Sequence, residues 1–337
     1  MVVLDSVHIP IVDFESFIEG DLAAQLLVSE RIYQACHEMG FVYLKNVGIS
    51  QRLIEQMFAQ SNRLFSLPDA AKAELSRARQ ITPDLTMGYI ALEQEAANPK
   101  RPGDLKEAFD VFKSGCFLEA AFETRAAVPA SWQERLQSTA FSPTAAEFFT
   151  VCSKAASEIF RSFAMGLQLP VSFFEERHQR NMNLRLLHYP PIHHQPRPGQ
   201  LRAGDHADFG SLTLLFQDKN GGLEIRTADG RWIMAPPMPD AVLINVGDLM
   251  QRWTNNQLRS TRHRVTLPQN GKVNQPRYSV AFFCDPDLDA MVECLDNCRD
   301  RDRPALYSPV LAGDYLAHRL RDVIRSRPQA KTAVVEQ

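Results

Sequence analysis

His206-Ala207-Asp208-Phe209-Gly210-Ser211-Leu212-Thr213-Leu214-Leu215-Phe216 sets a His-x-Asp pair directly before a short apolar strand. That strand is one of a series. Leu184 to Tyr189, Ser211 to Phe216, Leu223 to Arg226, Trp232 to Met234, Val242 to Val246, Arg262 to Thr266 and Tyr278 to Phe283 are short runs rich in β-branched, aromatic and aliphatic residues, punctuated by turn formers. Gly221-Gly222 and Asp229-Gly230 are turn signals, the second suited to a two-residue hairpin. Short strands at this spacing predict a β-sandwich or jelly roll.

Working outward, the chain before residue 181 reads mainly as helices. His8 to Phe14 forms a short opening strand. A helix follows, with Leu22, Leu26, Ile32, Cys36 and Met39 near helical spacing and Gly40 as its stop. Phe41 to Leu44 is strand-like. Ser50 can cap a second helix carrying Leu53, Ile54, Met57, Phe58, Leu64 and Phe65, which ends before Pro68. Residues 76 to 130 are irregular and rich in Pro and Gly, and a long loop of this kind inside a compact chain is more often functional than idle. Residues 81 to 110 are therefore expected to act as a lid that orders over bound substrate. Ser142-Pro143 opens a long helix with its stripe at Phe148, Cys152, Ala156, Ile159, Phe163 and Leu167. One more helix is expected near Gly313 to Ile324. The predicted class is α+β: a jelly-roll core with flanking helices and an N-terminal helical region packed on it. The division expected is 1–125 for the N-terminal region and 126–337 for the core with its preceding helix and C-terminal tail.

The chemistry centres on His206, Asp208 and His263. In an extended segment residues i and i+2 share a face, so His206 and Asp208 can converge on one point. His263, in Thr261-Arg262-His263-Arg264-Val265, can supply a third ligand from a distant strand. Two imidazoles and one carboxylate leave three open positions on an octahedral metal, the arrangement of non-haem Fe(II) oxygenases. A lone His-x-Asp is weak, since a loop histidine beside a turn-forming aspartate is common. Arg277-Tyr278-Ser279 follows, where Arg277 and Ser279 share a strand face and offer a guanidinium fork and a hydroxyl to a carboxylate. The competing reading is an arginine on a solvated strand. Tyr189 adds a phenol, or is an ordinary strand aromatic.

Other features exclude more than they assign. The 337 residues carry 37 basic and 40 acidic side chains and a net charge of −3, which gives no support for a nucleic-acid or membrane partner. No apolar run approaches the roughly 20 residues that span a bilayer, and Met1-Val2-Val3-Leu4-Asp5 has no leader pattern, so a cytoplasmic location is expected. The six cysteines, Cys36, Cys116, Cys152, Cys284, Cys294 and Cys298, suit buried reduced thiols. Cys294 and Cys298 could form half of a zinc site, but no second pair follows. His193-His194 sits in a Pro-rich loop and reads as surface. Met250, Arg252 and Trp253 follow Gly247-Asp248, and some are expected to pack near the site. No phosphate loop, Ser/His/Asp motif or catalytic-cysteine signature occurs.

Taken in order, these pieces resemble the isopenicillin-N-synthase-like branch of the 2-oxoglutarate and Fe(II)-dependent dioxygenases, over nearly the whole chain. Ile9 to Phe14 resembles that family's opening strand. Gly40-Phe41-Val42-Tyr43-Leu44-Lys45-Asn46-Val47-Gly48 resembles its "GFFYLxNHG" segment, with Val47 where a histidine is usual. Asp104-Leu105-Lys106-Glu107-Ala108-Phe109-Asp110 matches its "DxKE" stretch. His206 to Thr213 is its metal segment, and Gly221-Gly222-Leu223-Glu224-Ile225 and Asn245-Val246-Gly247-Asp248 follow in the expected order. Each piece is modestly specific, and their ordered occurrence is very specific.

The resemblance implies Fe(II) held by His206, Asp208 and His263. It also implies 2-oxoglutarate held through its distal carboxylate by Arg277 and Ser279 with Tyr189 assisting, and O2 as second cosubstrate. The implied reaction oxidises an unactivated C–H bond of a small molecule, by hydroxylation in the default case, and releases succinate and CO2. Some relatives carry an Asn two residues before the matching Tyr, and here that position is Leu187. Three rivals stand beside this reading: a same-fold Fe(II) oxidase that does not use 2-oxoglutarate (an oxidative cyclase or ethylene-forming type), an inactive metal-binding module, and a zinc hydrolase. Tyr89, Phe109 and Phe283 are expected to line the substrate pocket. Substrate identity and oligomeric state are not legible.

Overall fold

The computed structural model describes residues 8–76, 88–112, 141–268 and 275–325. Cys116 and residues 81–87 of the expected lid lie outside these segments.

The N-terminal third follows local signals. Strand β1, Ile11–Asp13, pairs in parallel with β2, Phe41–Lys45. Between them lie α1, Glu15–Ile18, and α2, Leu22–Glu38. The Asp21 side chain accepts from Ala24 N and caps α2. Gly40, at φ +76°, turns the chain out of the helix. The buried stripe of α2 runs through Val28, Ile32, Ala35 and Cys36, whereas Leu22 and Leu26 are 65% and 49% exposed, so the expected stripe is wrong at its first turns. Helix α3, Gln51–Phe65, starts as predicted, with Ser50 Oγ accepting from Leu53 N at 3.3 Å. A short α4, Asp69–Glu74, follows.

Two strands then appear where irregular chain was expected: β3, Gly88–Ile90, and β4, Glu107–Phe112. They pair with each other, and β4 pairs with β5, Met182–Tyr189. These ladders tie both ends of 88–112 into the main sheet, which corrects the expectation of irregular chain there. Helix α5, Phe141–Gly166, buries the whole predicted stripe from Phe148 to Leu167.

The remaining strands are β6, Ala203–His206; β7, Leu212–Gln217; β8, Leu223–Arg226; β9, Trp232–Met234; β10, Ala241–Val246; β11, His263–Val265; β12, Arg277–Cys284; and the short β13, Met291–Val292, and β14, Val310–Leu311. Helix α6, Asp248–Trp253, follows β10, and α7, Ala312–Arg325, follows β14. An eight-stranded sheet has the order β1-β2-β10-β7-β12-β5-β4-β3, and a four-stranded sheet the order β6-β11-β8-β9. The turn between β8 and β9 is longer than predicted: the ladder closes at Arg226↔Trp232, leaving five residues between.

Alternation along the strands of the large sheet makes two cores. One face, with Leu184, Leu186, Leu214, Phe216, Val280 and Phe282, packs on α2, α3 and α5. Phe148 meets Phe216 and Phe149 meets Phe282 edge-on, at 5.1 and 5.0 Å between ring centres. The other face, with Leu187, Tyr189, Leu243 and Ala281, meets Leu223, Ile225 and Val265 of the small sheet. The result is the predicted α+β class, a jelly-roll (double-stranded β-helix) core flanked by helices, with the functional residues between the sheets.

Gly40 tests the packing. A Cβ there would lie 2.2 Å from Arg259 O, while Gly48, at φ +79°, has open space. Both positions penalise an L side chain by roughly 1–2 kcal/mol for left-handed backbone. Only Gly40 adds overpacking, about 1–3 kcal/mol. Gly40→Ala should therefore be clearly less stable than Gly48→Ala in chemical denaturation, and equal losses would refute this account.

Candidate functional site

The first two of the predicted donors lie at the end of one strand. His206 is the last residue of β6 and Asp208 lies two residues beyond it. His263 opens β11, directly opposite His206 in the antiparallel ladder. Among the described residues these three form the one group of His, Cys, Asp and Glu side chains able to hold a metal, with one donor atom from each within 4.8 Å of the others. His206 Nε2 and His263 Nε2 lie 3.8 and 3.6 Å from Asp208 Oδ1.

Hydrogen bonds aim these donors. His206 Nδ1 meets Gly204 O at 2.8 Å and His263 Nδ1 meets Thr261 O at 3.1 Å. A carbonyl only accepts, so each Nδ1 carries the proton and each Nε2 presents its lone pair. Burial pushes His206 down to about 4, helped by His263. Asp208 Oδ2 accepts from Thr213 Oγ1 at 2.6 Å and from Asn245 Nδ2 at 2.7 Å, leaving Oδ1 for the imidazoles. Thr213 and Asn245 are register partners on β7 and β10. Burial acts to raise the Asp208 carboxyl, but His263, His206 and these two donors hold it below its ordinary value. A hard-and-borderline N2O donor set, open on one side, fits a divalent first-row metal such as Fe(II).

Two glycines let the loop approach the sheet. A Cβ on Gly210 would fall 1.6 Å from Asp285 Oδ1, and one on Gly247 would fall 2.3 Å from Gly210 O. Asp248 braces the same loop: its N–H donates to Asp208 O at 2.8 Å, and its carboxylate accepts from Ser260 Oγ at 2.6 Å, from Tyr315 OH at 3.0 Å and from Arg319 of α7. The Arg319 guanidinium lies 4.3 Å from the ring centre of Phe209.

The second constellation lies farther along the same interior. Arg277, 1% exposed, opens β12 opposite Tyr189. Its Nη1 donates to Ser279 Oγ at 3.2 Å, its Nε to Gly221 O at 2.6 Å and its Nη2 to Gln217 Oε1 at 2.9 Å. Tyr189 does not join this chain; its ring lies beneath the guanidinium, 4.7 Å from Cζ. Arg202, which the sequence did not single out, is 3% exposed and donates from Nη2 to Gln275 O, while its Nε has no partner. Burial and then Arg277 lower its pKa. Among the described residues neither guanidinium has a carboxylate within ion-pair distance. Two buried cations with donors to spare, one an orphan, call for an anionic ligand. A dicarboxylate such as 2-oxoglutarate fits that chemistry.

The remaining expectations divide. Leu187 faces the interior between Ser279 and Ala108, an apolar wall at the position where some relatives have Asn. Phe283 also faces inward. Tyr89 and Phe109 do not, because their register puts them on the helix-packed face, which corrects their assignment to the pocket. Met250 and Trp253 likewise turn into the helix-side core, and Arg252 reaches Ser308 O. Val47 is a buried apolar residue in that core. His193 and His194 are exposed in their loop, and Cys294 and Cys298 are buried thiols with no further ligand group among the described residues. One carboxylate was missed: burial, then Asp208, push Asp285 up to about 7.

Comparison with known proteins agrees with this geometry. Residues 180–286 match the family model described as the 2OG-Fe(II) oxygenase superfamily, and residues 9–134 match the one described as the N-terminal region of non-haem dioxygenases in morphine synthesis. The chain is 31% identical over 303 residues to the 2-oxoglutarate-dependent dioxygenase htyE of Aspergillus rugulosus, covering 85% of this chain and 90% of that protein. It is 33% identical over 306 residues to the proline hydroxylase buaE of Petromyces alliaceus, covering 88% and 92%. Among solved structures, a full-length Neurospora crassa protein in complex with alpha-KG and thymine superposes with a TM-score of 0.81 at 31% identity, covering 95% of this chain and 98% of that one. No helix among the described residues is long and apolar enough to cross a membrane.

Removing the Asn245 amide would leave Asp208 Oδ2 one donor short. Loss of such an orienting group typically weakens metal binding 10–100-fold. Asn245→Ala should therefore weaken Fe(II) binding to the metal-free protein by roughly 10–100-fold, measured by anaerobic equilibrium titration. An unchanged affinity would show that Asn245 does not orient the carboxylate.

Proposed function

Since the chain belongs to the 2OG-Fe(II) oxygenase superfamily, we propose that His206, Asp208 and His263 are its iron ligands and that Arg277 and Ser279, stacked on Tyr189 and joined by Arg202, grip the distal carboxylate of 2-oxoglutarate. The enzyme is an Fe(II) and 2-oxoglutarate-dependent dioxygenase. The observation that carries the residue assignment is the pairing of one three-donor cluster with two buried guanidiniums that lack an acid.

When bound, iron and 2-oxoglutarate together supply the reduction of O2, with one oxygen atom going to succinate and the other to a substrate C–H bond. The chain's own residues do the rest. The Nδ1–H bonds to Gly204 O and Thr261 O hold both imidazoles in one tautomer. Thr213 and Asn245 hold Asp208 so that one oxygen points at the metal position. Arg277, tied to Gly221 O and Gln217, is pre-set for a carboxylate and loses little freedom on binding it. Phe41, edge-on to His263 at 5.5 Å, and the Leu187, Leu243 and Ala281 wall exclude water. The relatives' names indicate small substrates, a proline in one and thymine in another. A small molecule hydroxylated at an unactivated C–H bond is the reading for this chain. The rival without 2-oxoglutarate, in which Arg277 would hold the substrate's own carboxylate, loses ground because relatives such as htyE are named for that cosubstrate.

The test is anaerobic titration of 2-oxoglutarate into the Fe(II) protein, followed by the metal-to-keto-acid charge-transfer band, with succinate release in air. A charge-assisted hydrogen bond contributes about 1.5–3 kcal/mol, and each 1.4 kcal/mol is about tenfold in affinity. Arg277→Leu should weaken 2-oxoglutarate binding by about tenfold to a hundredfold with Fe(II) affinity unchanged, and Arg202→Met should weaken it in the same direction. Ser279→Ala should cost less, and Tyr189→Phe least, since it keeps the ring under the guanidinium. A wild-type protein with no band and no succinate would overturn the reading.

A further inference from the structure

The interior of the large sheet is unevenly charged along its strands. One cross-strand row holds Asn245, Thr213, Phe283 and Asn183, in that order across β10, β7, β12 and β5. Asp208 is fastened to the first two, so this row marks the level of the three-donor cluster. Arg277 stands six positions earlier on β12, on the order of 20 Å along the strand. Beyond the row, past the end of β12, comes Asp285.

Two acceptors at this end have no donor. Asn183 is 7% exposed, and its Nδ2 donates to Asp110 Oδ1 at 3.2 Å, which leaves a buried Oδ1 with no partner. A buried orphan acceptor costs about 1–3 kcal/mol, so it is a group waiting for a hydrogen. Asp285 packs on Gly210 and makes no hydrogen bond or ion pair with any described residue. The nearby cations are already taken. Arg185 grips Asp110 through two bonds of 2.7 Å and reaches Glu95 at 3.2 Å. Lys106, which stands nearer the Arg277 end, beside the Glu107↔His188 pair, holds Asp104 at 2.6 Å, with Glu95 at 4.0 Å. At this end Arg185 thus faces three carboxylates, Asp110, Glu95 and Asp285.

We infer that this end of the interior is a substrate subsite for a protonated amine, whose N–H groups are accepted by Asn183 Oδ1 and the Asp285 carboxylate, with Phe283 as the apolar surface between them. The inference rests on the reading of Arg277 and Arg202 as the cosubstrate end, and it names the substrate class at the other. The two ends then have opposite polarity: an anion is drawn to the arginine pair and a cation to the end that carries Asp285 and Asn183 Oδ1, which orders two small ligands without interchange. A ring without N–H groups in the same seat would leave at least one of Asn183 Oδ1 and Asp285 without a donor.

The experiment uses protein loaded with Zn(II), an inert stand-in, and 2-oxoglutarate. Ligand-observed NMR compares pyrrolidine, piperidine and L-proline with cyclopentanol, cyclohexanol and cyclopentanecarboxylate. Each amine should bind about tenfold to a hundredfold tighter than its nitrogen-free ring, and the preference should disappear in Asp285→Asn, with a melting profile confirming the fold. Should that variant not fold, Asp285→Ser serves in its place. Equal binding of the two series, absence of amine binding, or a preference that survives the loss of the carboxylate would each overturn the inference. If wild type fails the 2-oxoglutarate titration, the cosubstrate reading has failed. If it passes that titration and shows no amine preference, this inference alone has failed.

Discussion

One buried carboxylate joins the two sheets. Asp208 extends from the end of β6 in the small sheet, yet one of its oxygens is held by Thr213 and Asn245 of the large sheet. An unpaired buried carboxylate would cost several kcal/mol, so the two donors do more than orient it; they make its burial tolerable. The division of labour between its oxygens follows from geometry. Oδ2 is occupied by neutral donors, and Oδ1 is left facing two imidazoles whose own protons are committed to carbonyls. Such a donor set converges one negative charge and two imidazole lone pairs on one point, which suits a cation.

The rest of the interior repeats this logic with the sign reversed. At the start of β12 the unbalanced groups are guanidiniums, and they are supported by neutral acceptors, Gly221 O, Gln217 and Ser279, rather than by acids. Had Arg277 been paired with a carboxylate, the pair would be electrically closed and of little use to an anionic ligand. At the far end of the strand Arg185 is paired in the closed manner with Asp110, and the free groups are acceptors. Structural ion pairs and ligand-seeking charges are thus told apart by whether their partners are neutral, not by burial, which is common to both.

This distinction explains what could be read in the sequence. The helices and most core strands were legible, because hydrophobic periodicity and caps such as Ser50 act over short range. His206, Asp208 and His263 could be picked out, and the structure brings them together, but a lone His-x-Asp is weak and it was the ordered family motifs around it that singled them out with Arg277 and Ser279. β6 was not legible, since Ala203-Gly204-Asp205-His206 has no β-forming residue and is a strand only because β11 lies beside it. β4 was hidden for a related reason: its Asp110 faces the interior and is buried by pairing with Arg185, so the alternation carries a charge where an apolar residue would be expected. The same strand shows why Phe109 was misassigned, since one position along a strand decides which core a ring enters. Arg202 and Asp285 left no signal, as a lone charged residue looks the same whether exposed or interior.

The brace on Asp248 spans a long stretch of chain. Its partners in α7, Tyr315 and Arg319, lie 67 and 71 positions further along, whereas all three donors of the cluster come before residue 264. Synthesis runs from the N-terminus, so all three donors are made before the helix that braces the loop beneath Asp208. The brace on that loop is complete only when α7 docks on Asp248. Metal acquired earlier would meet a loop still free to move, and its retention would depend on how quickly the final helix arrives.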